Sequence, residues 1–160
     1  MTAIIYESNT GFTKRYAEIL AEKLNIPCYS LKESKKNVSK GADVIFLGWV
    51  FANKIVGYGK AVKRFDVKAV GAVGINPESD TNTQIVKDAN KPTCPLFYLH
   101  GGLDYSKLKG LKKKMMLLVR DNLASENKPE NKDAVMLLTT GGDFVSEEKL
   151  AGLITLAMML

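Results

Sequence analysis

The hydrophobic positions of this chain form short apolar runs separated by longer stretches with helical spacing. Ala3-Ile-Ile-Tyr6 reads as a first strand. Residues 14–24 follow with Tyr16, Ile19, Leu20 and Leu24 on one helical face, and Pro27 lies just beyond the end. Residues 26–31 predict a weak second strand, and Asp43-Val-Ile-Phe-Leu47 predicts a buried third one that ends at Gly48. A loop over residues 49–57 then leads to a short helix near residues 58–64. Residues 67–73 predict a fourth strand, residues 78–90 a polar and partly helical stretch, and residues 96–99 a fifth strand closed by His100-Gly101-Gly102. The next helix is basic and carries Leu108, Leu111, Met115, Leu118 and Val119 near one face, the face expected to meet the sheet. Residues 125–133 read as a charged surface loop, and residues 135–138 as a short strand or ordered extension. Ser146-Glu147-Glu148 should cap a last helix running to Leu160, with its acids in the first turn where the helix dipole favours them.

Strands alternating with helices of this length predict βαβ units. The expected fold is α/β, a five-stranded parallel sheet with helices on both faces, in one domain spanning residues 1–160. Apolar residues at 46% and charged residues at 25% are ordinary globular composition. No apolar run approaches the ~18–20 residues that span a bilayer. The N-terminus has no basic leader, and Cys28 and Cys94 show neither CxxC spacing nor disulfide density, so a reducing cytoplasm is the expected setting.

Charge is unevenly distributed. The segment from Lys107 to Arg120 holds five Lys, one Arg and no acid, which equals the whole net charge of +6, since 17 basic and 17 acidic residues remain elsewhere. Local basicity argues against a nucleic-acid-binding surface, which spreads cations and stacking aromatics over a face.

In an open parallel sheet a ligand sits beyond the carboxyl ends of the strands, where the strand order reverses. The loop after the first strand is therefore the first place to look. Ser8-Asn9-Thr10-Gly11-Phe12-Thr13 supplies three hydroxyls, an amide and a glycine at a strand-to-helix junction. Backbone N–H groups at a helix start, with hydroxyls around them, make a neutral cradle for a phosphate. A capping residue explains Thr13 alone. Other phosphate loops are excluded: there is no GxxxxGK[ST], Gly57-Tyr-Gly59 lacks a third glycine, and neither cysteine heads a C-x5-R loop.

The pattern strand–[ST]-x-T-G-x-T–helix, formed by Ser8, Thr10, Gly11 and Thr13, resembles the FMN-phosphate loop of the flavodoxins. That resemblance implies sheet order 2-1-3-4-5, non-covalent FMN held by Ser8, Asn9, Thr10, Gly11, Phe12 and Thr13, and electron transfer through the flavin. It also implies that Val50, Phe51, Ala52 and Asn53 flank one side of the isoalloxazine, and that Gly74, Ile75 and Asn76 approach the other. The segment Tyr98-Leu-His100-Gly-Gly-Leu103-Asp-Tyr105-Ser-Lys-Leu108, followed by a basic Met-rich helix, is similar to the branch that contains the menaquinone-dependent protoporphyrinogen oxidases.

Two departures from the carrier flavodoxins shape the expected function. Those carriers are typically acidic, whereas this chain is basic, and many place a glycine where this chain has none between Trp49 and Val56. A peptide flip near Ala52-Asn53 should therefore cost strain and bring the redox behaviour closer to two-electron. The readings open at this point are an electron carrier between proteins, an FMN-dependent oxidoreductase acting on a small organic molecule (a quinone or porphyrinogen), and an FMN-free interaction domain. The basic helix should meet an acidic partner or substrate, or an anionic membrane surface. His100 reads as a structural hydrogen-bonder, because a lone histidine cannot build a histidine-rich metal site. Tyr105 reads as a packing residue with its hydroxyl outward, and Met115 and Met116 as core.

Overall fold

The computed structural model describes residues 1–129 and 132–160. In chain order the elements are β1 (Ala3–Glu7), α1 (Phe12–Leu24), β2 (Cys28–Ser30), α2 (Ser34–Asn37), β3 (Asp43–Phe51), β4 (Lys54–Ile55), α3 (Tyr58–Ala61), β5 (Asp66–Gly74) and α4 (Asp80–Asn90). They continue with β6 (Leu96–His100), β7 (Gly102–Leu103), α5 (Gly110–Ser125), α6 (Lys132–Thr140), β8 (Gly142–Asp143), a 3-10 turn (Glu147–Leu150) and α7 (Ala151–Met159). The main sheet runs β2-β1-β3-β5-β6, all parallel, with the short β4 paired antiparallel to the end of β3. Leaving β4 out of the count, this is the expected order 2-1-3-4-5.

Both faces of the sheet are covered, which is why β3 reads as an unbroken apolar run rather than an alternating one. Val44 and Phe46 point to the layer containing Tyr58, Ala61 and Val86, from α3 and α4. Ile45 and Leu47 point to the opposite layer, with Tyr16 and Leu20 of α1 and Leu153 of α7. Asn25 ends α1 in the left-handed region at φ 50°, and its N–H reaches back to Ala21 and Glu22. The strand order reverses at β1, with β2 on one side and β3 on the other, opening a crevice at the carboxyl ends of β1 and β3.

The C-terminal third departs most from the sequence reading. Residues 135–138 belong to helix α6, not to a strand. Residues 102–143 leave the sheet after β6 as an excursion closed by the β7–β8 ribbon, in which Gly102 pairs with Asp143 and Leu103 with Gly142. A separate small core of Leu103, Leu108 and Leu138, with Met116, Leu123 and Leu137 against it, holds α5 and α6. Leu108 is buried as expected, but Leu111, Met115, Leu118 and Val119 do not face the sheet; they are 72%, 39%, 62% and 48% exposed. The side of α5 that packs carries Met116 and Leu123 instead. Of the expected charged loop, residues 125–129 are exposed, while Glu130 and Asn131 lie outside the described residues. The last helix starts in two stages, and Ser146 makes no backbone cap; its hydroxyl bonds Glu148 at 3.1 Å. Tyr105 turns its hydroxyl inward, contrary to expectation, and that atom is buried without a hydrogen-bond partner among the described residues.

Candidate functional site

The loop after β1 is shaped by Gly11, which sits at φ 103°, a conformation that disfavours any side chain. Its N–H donates to Ser8 Oγ at 3.2 Å, so Ser8 braces the turn and that one amide is already engaged. Helix α1 then begins with no side-chain cap and no acid in its first turn. A helix start of this kind attracts an anion. Thr13 is buried at the start of α1. Lys14 and Arg15 turn away, Lys14 toward Glu18 at 3.5 Å and Arg15 to Asp143. Lys107, from the segment between β7 and α5, approaches the loop instead. Its Nζ lies 3.8 Å from where a Gly11 Cβ would stand, and it pairs with Asp104 at 3.3 Å. Nothing local in the sequence pointed to Lys107 at this position.

The expected loop at residues 49–57 is largely a hairpin. β3 continues to Phe51, turns through Ala52 and Asn53, and returns as β4 with Val50 opposite Ile55. Both turn residues are left-handed, at φ 46° and 63°, as a two-residue hairpin turn requires. The strain expected only when a peptide changes orientation is therefore already present. Asn90 at the end of α4 holds the turn in place. Its side-chain amide donates to Asn53 O at 2.8 Å and to Val86 O at 2.7 Å, and its Oδ1 accepts from Ile55 N at 2.9 Å. Ala52→Gly should raise unfolding free energy by about 1 kcal/mol, by relieving the left-handed alanine. Thermal unfolding checks this, and an unchanged or lower midpoint would show that the turn is unstrained.

Two residues of β6 support the loop after β5. His100 Nε2 lies 3.1 Å from Ile75 O, and its ring stacks on Phe144 at 4.0 Å and 10°. Burial, and then the Lys149 charge, push the His100 pKa down, while the Ile75 carbonyl and Glu78 act against them. Beside it, the Tyr98 hydroxyl takes a hydrogen bond from the Asn76 backbone; burial nonetheless pushes its pKa up to about 12. His100 is thus a structural hydrogen-bonder.

These three segments meet around one cavity of about 370 Å³ at the carboxyl ends of the strands. Ser8, Asn9, Thr10, Phe12, Thr13, Val50, Phe51, Ala52, Asn53, Gly74, Ile75 and Asn76 all line it, whereas Gly11 does not and only sets the turn of the loop. Trp49, Val73, Tyr98, Gly102, Leu103, Leu108, Met115, Met116 and Val119 complete the lining, so Met115, expected in the core, forms part of a cavity wall, while Met116 packs on the small core and also borders the cavity. None of the described lining residues carries a charge. The cavity offers hydroxyls and a helix start at one end and aromatic and aliphatic walls elsewhere. Such a donor set fits a phosphate joined to a flat apolar ring system, as in FMN.

Fold and site together define a doubly wound α/β domain with an uncharged cavity at its topological switch point. A flavodoxin-domain family model matches residues 3–130, and the chain belongs to that family, whose members commonly bind flavin. Searches of curated proteins and of solved structures return no match.

Proposed function

We propose that this protein binds FMN non-covalently and functions as an FMN-dependent redox protein. The observation that carries this reading is the uncharged cavity in which residues 8–13, the hairpin turn at Ala52-Asn53 and the loop at Gly74-Ile75-Asn76 converge. Hydroxyls of Ser8, Thr10 and Thr13, with amides at the start of α1, would hold the phosphate. Trp49 to Asn53 and Gly74 to Asn76 would flank the ring. FMN, when bound, supplies the electron transfer; the protein orients it and keeps water from it. Asn90 and His100 fix the two flanking segments through the backbone, so neither needs to touch the cofactor.

One feature favours an oxidoreductase acting on an organic molecule over a carrier between proteins. Leu108, Met115, Met116 and Val119 raise an apolar wall beside the cavity, and such a wall suits an apolar substrate better than a protein docking face. The likeness of residues 98–108 to the branch of menaquinone-dependent protoporphyrinogen oxidases supports the same reading.

Purified protein should be yellow, or take up FMN in a one-to-one complex, and should prefer FMN to riboflavin. Absorbance and fluorescence titrations check this. Equal affinity for the two flavins would remove the phosphate assignment, and no uptake of either would leave an interaction domain without flavin. Reoxidation of the reduced, loaded protein by a small apolar acceptor faster than by cytochrome c would favour the enzyme reading.

A further inference from the structure

We propose that helix α5 docks on an anionic phospholipid surface, with its outward apolar stripe in the interface and its lysines on the headgroups. Leu111, Met115, Leu118 and Val119 recur at i, i+4, i+7 and i+8, the spacing of an apolar helix face, yet this face is exposed and packs on none of the described hydrophobic cores. Leu111 and Leu118 are 72% and 62% exposed. Lys113 and Lys114 stand exposed on the same helix and Lys109 just before its start, and the segment from Lys107 to Arg120 contains no acid to neutralise them. The 16 residues of α5 make it about 24 Å long. That is enough to lie along a membrane surface, and no described helix is long and apolar enough to cross one.

Charge and apolarity together select the occupant. A second copy of this chain would bring two basic helices face to face, and repulsion opposes that. An acidic protein would satisfy the lysines and leave the leucine stripe without purpose. An anionic lipid surface satisfies both, because headgroups take the cations and acyl chains take the stripe. The stripe also continues into the site: Met115 and Val119 line the cavity, while Leu111 and Leu118 on the same helix face stand exposed. Docking would therefore turn the cavity mouth toward the lipid, so an apolar, membrane-dissolved molecule could reach it without crossing water. The docking surface does not depend on bound flavin.

Co-sedimentation of the protein tests this, with phosphatidylcholine vesicles alone and with about one-third phosphatidylglycerol. Wild type should pellet with the anionic vesicles, remain in solution with the neutral ones, and be released as salt is raised. Lys113→Gln with Lys114→Gln should weaken binding about thirtyfold, about fivefold for each cation lost. Leu111→Ser with Leu118→Ser should weaken it at least tenfold at any salt concentration. None of these four side chains lines the cavity, so FMN uptake by both variants should match wild type; loss of uptake by wild type would strike at the flavin reading and leave docking standing. Absence of binding to anionic vesicles would overturn the proposal. So would full binding by the leucine variant, or capture by polyglutamate in place of vesicles, which would make the surface a site for an acidic protein. Concentration-dependent dimerisation abolished by the leucine changes would assign the stripe to a second copy and overturn it too.

Discussion

Replacing Gly74 by alanine is expected to lower unfolding free energy by about 1–3 kcal/mol and to weaken FMN binding with it. A Cβ at this position would lie 2.0 Å from the Tyr98 hydroxyl, 2.6 Å from Cζ and 2.9 Å from Cε2. Tyr98 cannot easily withdraw, because its ring is buried and its hydroxyl is bonded from the Asn76 backbone. Gly74 cannot easily withdraw either, because it pairs with His100 across β5 and β6. The clash must then displace the loop that carries Ile75 and Asn76, one wall of the cavity. Thermal unfolding and FMN titration of Gly74→Ala measure the two effects. Adding Tyr98→Phe should recover part of the stability, since it deletes the nearest atom but leaves the ring carbons. Wild-type stability and affinity in Gly74→Ala would show that the ring yields freely and that this glycine does not shape the site.

The second large effect is expected at the other end of the cavity. Thr10→Val keeps side-chain volume while deleting a hydroxyl donor, and should raise the FMN dissociation constant about tenfold to a hundredfold. Riboflavin, which lacks the phosphate, should bind the variant as well as it binds wild type. This difference separates two roles for the loop. Equal weakening for both flavins would mean that Thr10 maintains the shape of the cavity, and no weakening for either would remove the loop from the phosphate assignment. Lys107 complicates the picture of a neutral cradle, since its ammonium stands close to Gly11. Some salt dependence of FMN affinity is therefore expected even though none of the described lining residues carries charge.

The misread elements each have an identifiable cause. The hairpin at Ala52-Asn53 carries no Asn-Gly or Asp-Gly turn signal, so residues 49–57 read as loop. What stabilises the turn is Asn90, 37 residues further along the chain, by its bond to Asn53 O. Residues 135–138 are apolar but too short for periodicity to separate strand from helix. The inward Tyr105 hydroxyl leaves no mark in a sequence, because burial of a single atom depends on how α5 and α6 close over it.

By itself the sequence determined the α/β class, the parallel pairing and the phosphate-loop candidate, because these rest on local signals; the order 2-1-3-4-5 came only through the resemblance to the flavodoxins. Continuous apolar runs mean strands covered on both faces, alternation with helical segments means crossover connections, and a glycine among hydroxyls at a strand-to-helix junction means a turn open to an anion. Spacing also placed Leu111, Met115, Leu118 and Val119 on one face of one helix. Only the tertiary structure decided where that face points. Helical periodicity fixes which side chains share a face, but the partner of the face depends on the remaining volume of the fold. Here the sheet was already covered by α1, α3, α4 and α7. Helix α5 was left to pack on α6 through Met116 and Leu123, and its other apolar stripe remained outside, beside the cavity.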